Sequence, residues 1–108
     1  MIDWNRVEEL RAEIGPSDFS EVVEMFIAES DEAIARLQIG RPQPTLEAEL
    51  HFLKGSALNL GFTELAALCN QGEQRTAQDL KLDLERILVS YNTARDELRE
   101  KIPANRAA

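Results

Sequence analysis

Apolar residues recur every three or four positions along nearly the whole chain, which is the spacing of one face of an α-helix. No stretch shows the period of two that is typical of a half-buried strand. Most breaks in the pattern coincide with Gly and Pro, of which the 108 residues contain only 5 and 4. The pattern therefore predicts an all-α chain with five helices, over residues 3–14, 18–38, 45–60, 63–77 and 79–102.

Most of the predicted boundaries carry a residue suited to starting or ending a helix. The candidate N-caps are Asp3, Asp18, Thr45 and Asp79, and the candidate terminators are Gly15 and Gly61. Residues 40–44 form a loop, and residues 103–108 are expected to be a frayed tail. Four long helices with short connections fit an up-down-up-down four-helix bundle, with the short N-terminal helix packed across it. We expect one domain over residues 1–108.

The net charge of −8 limits the class of partner. Binding to a phosphate backbone depends on clustered Lys and Arg, so a nucleic-acid partner is not expected. Residues 1–38 hold 10 acidic and 3 basic side chains, whereas residues 39–78 hold 4 and 3. We interpret the acidic first third as a solubilising surface, and the middle of the chain is left close to neutral.

Several features of the chain predict a cytoplasmic protein without a membrane partner. No apolar run approaches the ~20 residues of a membrane span, and the start at Met1 lacks the basic and apolar regions of a signal peptide. Cys69 is the only cysteine, so no intramolecular disulfide can form. Its place within a helical apolar pattern favours a small buried side chain over a reactive thiol.

The helix predicted over residues 45–60 directs its histidine away from the core. Its apolar stripe falls within about 40° of one direction on a helical wheel and consists of Leu46, Leu50, Leu53, Ala57 and Leu60. His51, the only histidine, then points about 140° from the core, and Gly55 about 180°. Lys54 lies about 80° and Leu58 about 120° from the core, both on the side of His51. These four residues are expected to share one surface.

Gly55 is the informative member of that surface. Glycine inside a helix costs up to about 1 kcal/mol relative to Ala, and a solvent-facing position imposes no packing need for it. Either another molecule approaches closely at this position, or the glycine is simply tolerated. Lys54 adds a cation suited to the charge of a phosphoryl group. A solvent-facing His51 beside a cation and a cleared helix surface has the geometry of a phosphoryl acceptor, rather than of an incidental surface histidine.

Residues 51–61, His-Phe-Leu-Lys-Gly-Ser-Ala-Leu-Asn-Leu-Gly, resemble the signature of histidine phosphotransfer (HPt) domains, which is His-x-x-Lys-Gly followed six residues later by Gly. The pattern of Leu65, Leu68, Cys69 and Glu73 is also similar to the next helix of that family. The resemblance is specific over residues 46–76 and elsewhere depends on length and helix pattern. It implies a helical bundle that takes part in two-component phosphorelays.

The resemblance also implies roles for single residues. His51 matches the phosphorylated histidine, Lys54 the basic residue that assists transfer, and Gly55 the small residue that admits the partner. Glu73 matches a position where Gln or Glu often lies near the histidine, and we place it with Leu58 among the partner-docking residues.

Two residues depart from the family pattern. Gly72 occupies a position usually filled by a bulky apolar residue, so we expect that helix to be locally looser. Leu58 stands where Ala or Gly is common. It would either narrow the access of a partner or add an apolar docking contact, and we favour the contact.

The implied function is that of a phosphorelay intermediate without kinase or ATPase activity of its own. His51 would accept a phosphoryl group from the aspartate of one receiver domain and pass it to another, the receivers belonging to response regulators or hybrid histidine kinases. The chain is expected to need no cofactor or metal itself, with Mg²⁺ held by the receiver. Two alternatives stay open: a helical interaction module that does not transfer, and the substrate domain of a larger histidine kinase.

Overall fold

The computed structural model describes residues 1–39, 45–78 and 81–102. Their regular elements are five helices: α1 (Trp4–Ile14), α2 (Phe19–Ile39), α3 (Thr45–Leu60), α4 (Thr63–Ala77) and α5 (Leu84–Lys101). The predicted all-α class is therefore confirmed. The predicted loop at residues 40–44, the predicted cap at Asp79 and the predicted tail at residues 103–108 lie outside the described residues.

The helices α2 to α5 form the bundle, in which each helix contacts the next and α5 returns to contact α2. Side-chain pairs across the helices are Arg36–Glu49 between α2 and α3, His51–Glu73 and Lys54–Asn70 between α3 and α4, and Glu24–Arg99 and Asp31–Arg95 between α2 and α5. In the last two helix pairs, residue numbers rise on one helix as they fall on the other. These pairs are antiparallel, as an up-down-up-down bundle requires.

The apolar stripe of α3 faces the core as its periodicity predicted. Leu50, Leu53, Ala57 and Leu60 are buried, and Leu46 packs partly buried against them. Burial of this stripe fixes the rotation of α3 about its axis. The opposite face of the helix, which carries the histidine, is thereby turned to solvent.

The N-terminal segment holds α1 against α2 and α3. Asp3 caps α1, as predicted, by accepting hydrogen bonds from the backbone N–H groups of Asn5 and Arg6. The Asp3 backbone N–H donates to the carbonyl of Gly61 at 2.7 Å, next to an isolated antiparallel bridge between Ile2 and Phe62. Gly61 has φ of +76°, and a Cβ there would lie 2.6 Å from the Asp3 carbonyl oxygen. Glycine therefore both ends α3 and admits the N-terminal segment.

The start of the last helix was predicted wrongly. The helix α5 begins at Leu84 and is capped by Asp83, whose carboxylate accepts from the Arg86 backbone N–H at 3.3 Å. The spacing of apolar residues suggested a helix continuous from residue 79. Leu82 instead lies in a non-helical connection, where its side chain packs against the flank of α4.

The expectation of a looser helix around Gly72 was also wrong. α4 runs unbroken through this position, and Gly72 is buried. The space in front of its missing side chain is occupied by Leu82 and Leu50, the nearest carbons of which would lie 2.8 and 3.2 Å from a Cβ. Side chains from elsewhere in the chain replace the one that position 72 lacks. No helix within the described residues combines the length and the hydrophobicity of a membrane span.

Candidate functional site

His51 lies on the outward face of α3, with 72% of its side chain exposed. Its Nδ1 atom is 3.0 Å from Oε1 of Glu73, which reaches across from α4. The structure thus brings together two residues that are 22 positions apart in the chain. The ring is open to solvent, but its orientation is set by a carboxylate.

Glu73 is the centre of this site, because its two carboxylate oxygens contact two different side chains. Its second oxygen lies 2.8 Å from Nζ of Lys54, which also donates to Oδ1 of Asn70 at 3.3 Å. Only 17% of the Glu73 side chain and 23% of the Lys54 side chain are exposed. We call His51, Lys54, Asn70 and Glu73 the site network.

The protonation state of Glu73 determines which ring nitrogen of His51 carries the hydrogen. Burial raises the pKa of the Glu73 carboxyl, but the hydrogen bonds from Lys54 and His51 and their positive charge outweigh burial and lower the pKa below its ordinary value. Glu73 is therefore a carboxylate at neutral pH and accepts hydrogen bonds only. The hydrogen of a neutral ring must then be on Nδ1, which leaves the lone pair on Nε2.

The surface beside His51 is open and apolar. A Cβ added to Gly55 would meet nothing within 4 Å. Leu58, one turn further along α3, is 56% exposed, and Phe52, next to the histidine, is 42% exposed. The glycine thus clears the helix surface between two exposed apolar side chains, which suits contact with another protein.

Cys69 lies outside the site network. It is fully buried on α4, one turn before Glu73. Burial raises the pKa of the thiol to about 12, with a further increase from the charge of Glu73. The prediction of a small buried side chain is confirmed, and the thiol is a poor nucleophile at neutral pH.

Two residues of this surface were missed by sequence reasoning. Asn70 precedes Glu73 by three positions, so the helical spacing that places both on one face of α4 could have indicated it. Phe52 is adjacent to the histidine, and the helical wheel places it about 120° from the core, so its exposure could also have been predicted. Among the described residues, no group of three or more His, Cys, Asp or Glu side chains is arranged to hold a metal ion.

Comparison with known protein families identifies a match. Residues 21–107 match the Hpt domain, a stretch that includes the whole site network. No curated protein and no solved structure matches the chain. The chain therefore belongs to the Hpt domain family, whose members are histidine-containing phosphotransfer modules of two-component signalling without kinase activity of their own.

Proposed function

We propose that this protein is a phosphorelay intermediate, in which His51 accepts a phosphoryl group from the aspartyl phosphate of one receiver domain and passes it to another. The observation that carries the proposal is the hydrogen bond between Nδ1 of His51 and the Glu73 carboxylate. It holds an exposed imidazole in the tautomer whose Nε2 lone pair is free to attack phosphorus.

The transfer step forms one bond and breaks another. The Nε2 lone pair attacks the phosphorus of the aspartyl phosphate, and the bond from phosphorus to the aspartyl oxygen breaks in line with the attack. The aspartate leaves as a carboxylate with the bonding electron pair. The Nδ1 hydrogen stays on the ring, which now carries a positive charge that Glu73 stabilises. Attack by the aspartate of a second receiver on the phosphohistidine reverses these changes.

Lys54 supplies positive charge beside the transferring group. Its ammonium is held at 2.8 Å by Glu73 and at 3.3 Å by Asn70, so it lies near the imidazole at little further cost in side-chain entropy. The developing charge on the phosphoryl oxygens would be stabilised by this cation and by Mg²⁺ bound to the receiver. The chain itself needs no cofactor in this scheme.

The receiver would dock on the surface of α3 around Gly55. Its active-site loops must come within bonding distance of Nε2, and the missing side chain at position 55 leaves room for them. Phe52 and Leu58 would contribute apolar contacts on the two sides of this opening. We expect the donors and acceptors to be receiver domains of response regulators or hybrid histidine kinases, and the relay to operate in the cytoplasm.

The experiment is phosphoryl transfer from labelled receivers with Mg²⁺ to the wild type and to His51→Gln. The wild type should gain label that is labile in acid and stable in alkali, as expected of a phosphoramidate. His51→Gln should gain none while it still binds the receiver, because the docking surface is intact. Label on His51→Gln would refute the assigned site. Receiver binding without any transfer to the wild type would favour an interaction module instead.

A further inference from the structure

The residues that directly precede His51 and Glu73 in the chain pack against each other. Gly72 directly precedes Glu73 on α4, and Leu50 directly precedes His51 on α3. Both are buried, and Leu50 is fully so. A third residue, Leu82, enters from the connection before α5, so that its side chain and that of Leu50 face the same point of α4.

The distances at Gly72 show that this contact is tight. A Cβ at position 72 would lie 2.8 Å from Cδ1 of Leu82, and 3.2 and 3.5 Å from the two methyl carbons of Leu50. Ordinary carbon–carbon contacts lie at about 3.5–4.0 Å. Leu82 and Leu50 therefore fill the volume that a side chain at position 72 would need.

Leu82 is held in place from both sides. Before it, the carbonyl of Lys81 accepts a hydrogen bond from Nε of Arg75 on α4 at 2.7 Å. After it, Asp83 caps α5. The connection is thus fastened to α4 and to α5 immediately around the residue that packs against Gly72.

We propose that Leu82 and Gly72 are positioning residues, which set the spacing of α3 and α4 at the level where His51 meets Glu73. Neighbouring residues on a helix move together, so a shift at Gly72 or Leu50 is passed directly to Glu73 or His51. The Nδ1 to Oε1 distance is 3.0 Å, and a hydrogen bond is lost at about 3.6 Å. A displacement of about half an ångström would therefore break the hydrogen bond that keeps the ring hydrogen on Nδ1. The effect on transfer rate rests on the function proposed above, whereas the effect on the ring does not.

The test is nitrogen NMR of the His51 ring in the isolated protein, which reports the tautomer without any receiver. The variants are Gly72→Ala, Leu82→Ala and the two combined. Each single change should weaken the preference for hydrogen on Nδ1. Gly72→Ala would do so by crowding Leu82 and Leu50, and Leu82→Ala by leaving an empty space against Gly72. The double variant should restore the wild-type signature, because the new methyl group takes the space that Leu82 vacates. Gly55→Ala is the matched control for the ring signature, since its added methyl group meets open space.

Transfer from a phosphorylated receiver provides the second readout. Misplacement of a reacting group by about 1 Å can cost as much as about 100-fold in rate, so the single variants should transfer roughly 10- to 100-fold more slowly and the double variant should recover. If the single variants melt at lower temperature yet keep the ring signature, the residues have a packing role only and the proposal is wrong. If Gly72→Ala does not fold, Leu82→Ala decides the matter alone. Absence of transfer to the wild type would refute the proposed function, and the ring signature would still test this proposal.

Discussion

Gly55→Gln should stabilise the fold and damage the function. An added Cβ meets nothing within 4 Å, so the new side chain extends into solvent without disturbing the bundle. Gln is favoured over Gly inside a helix by roughly 0.5–1 kcal/mol. For a domain of this size, 1 kcal/mol corresponds to a change in Tm of about 4–8 °C. The melting temperature of Gly55→Gln should therefore rise by about 2–8 °C.

The same side chain stands one turn from His51, where the receiver would approach in the proposed complex. Transfer requires Nε2 to come within bonding distance of phosphorus, and a displaced approach is expected to cost on the order of 10- to 100-fold in rate. Thermal melting by circular dichroism and transfer of label should be measured on the same preparation. Gly55→Ala, with a single methyl group, should gain a similar stability and lose less transfer.

Thr93→Gln controls for the general effect of a glutamine on the surface, since Thr93 is exposed on α5, across the bundle from α3. It should leave transfer unchanged. Two results would refute the reasoning on Gly55. A melting temperature well below that of the wild type would mean that Gly55 is required for packing. A wild-type transfer rate in Gly55→Gln would mean that the receiver does not need the opening.

Four further outcomes are expected. Lys54→Ala should slow transfer about 10- to 150-fold, because one charge-assisted contact of ~1.5–3 kcal/mol is lost in the transition state, and a wild-type rate would show that the cation is incidental. It should also lower Tm, because Glu73 loses the cation that offsets its burial. Glu73→Ala should slow transfer more than Glu73→Gln, because Gln keeps an acceptor for the Nδ1 hydrogen, and equal rates in the two variants would contradict the role in tautomer selection. Folding lowers the pKa of Glu73, so the carboxylate stabilises the fold above its unfolded-state pKa of about 4.5 and loses this effect as the pH falls through its folded-state pKa. In urea titrations, the difference in free energy of unfolding between the wild type and Glu73→Gln should therefore shrink in acid. Cys69 should resist iodoacetamide at pH 8 in the native protein and react once urea unfolds it, as mass spectrometry would record.

Much of this site could be predicted from the periodicity of the sequence, because a helix fixes the angles between its own residues. The stripe that includes Leu50 and Leu53 fixed the rotation of α3, and with it the outward direction of His51 and the open space at Gly55. No contact with another helix was needed for that inference. The bounds of α3 and α4 also agree with the predicted ones, and Gly61 marks the break between the two helices.

Contacts between helices could not be obtained in this way. The position of Glu73 near the histidine followed only from the family resemblance, and its second contact with Lys54 depends on the spacing of α3 and α4. Leu82 was assigned to a helix because its neighbours keep helical spacing. Its packing against Gly72 involves residues ten positions apart that no local pattern joins.

The hydrogen bond from Asp3 to Gly61 has a consequence for dividing this protein into parts. The family match begins at residue 21, but the end of α3 is bound by residues that precede it: Asp3 holds the Gly61 carbonyl, and Arg6 donates to the side chain of Asn59. A chimera that transplanted only residues 21–107 would carry the full site network yet leave these acceptors to water. It would also uncover the surface now covered by Val7 and Leu10. The site network thus spans less of the chain than the residues that pack around it, and a graft of this domain should include the residues from Ile2 onward.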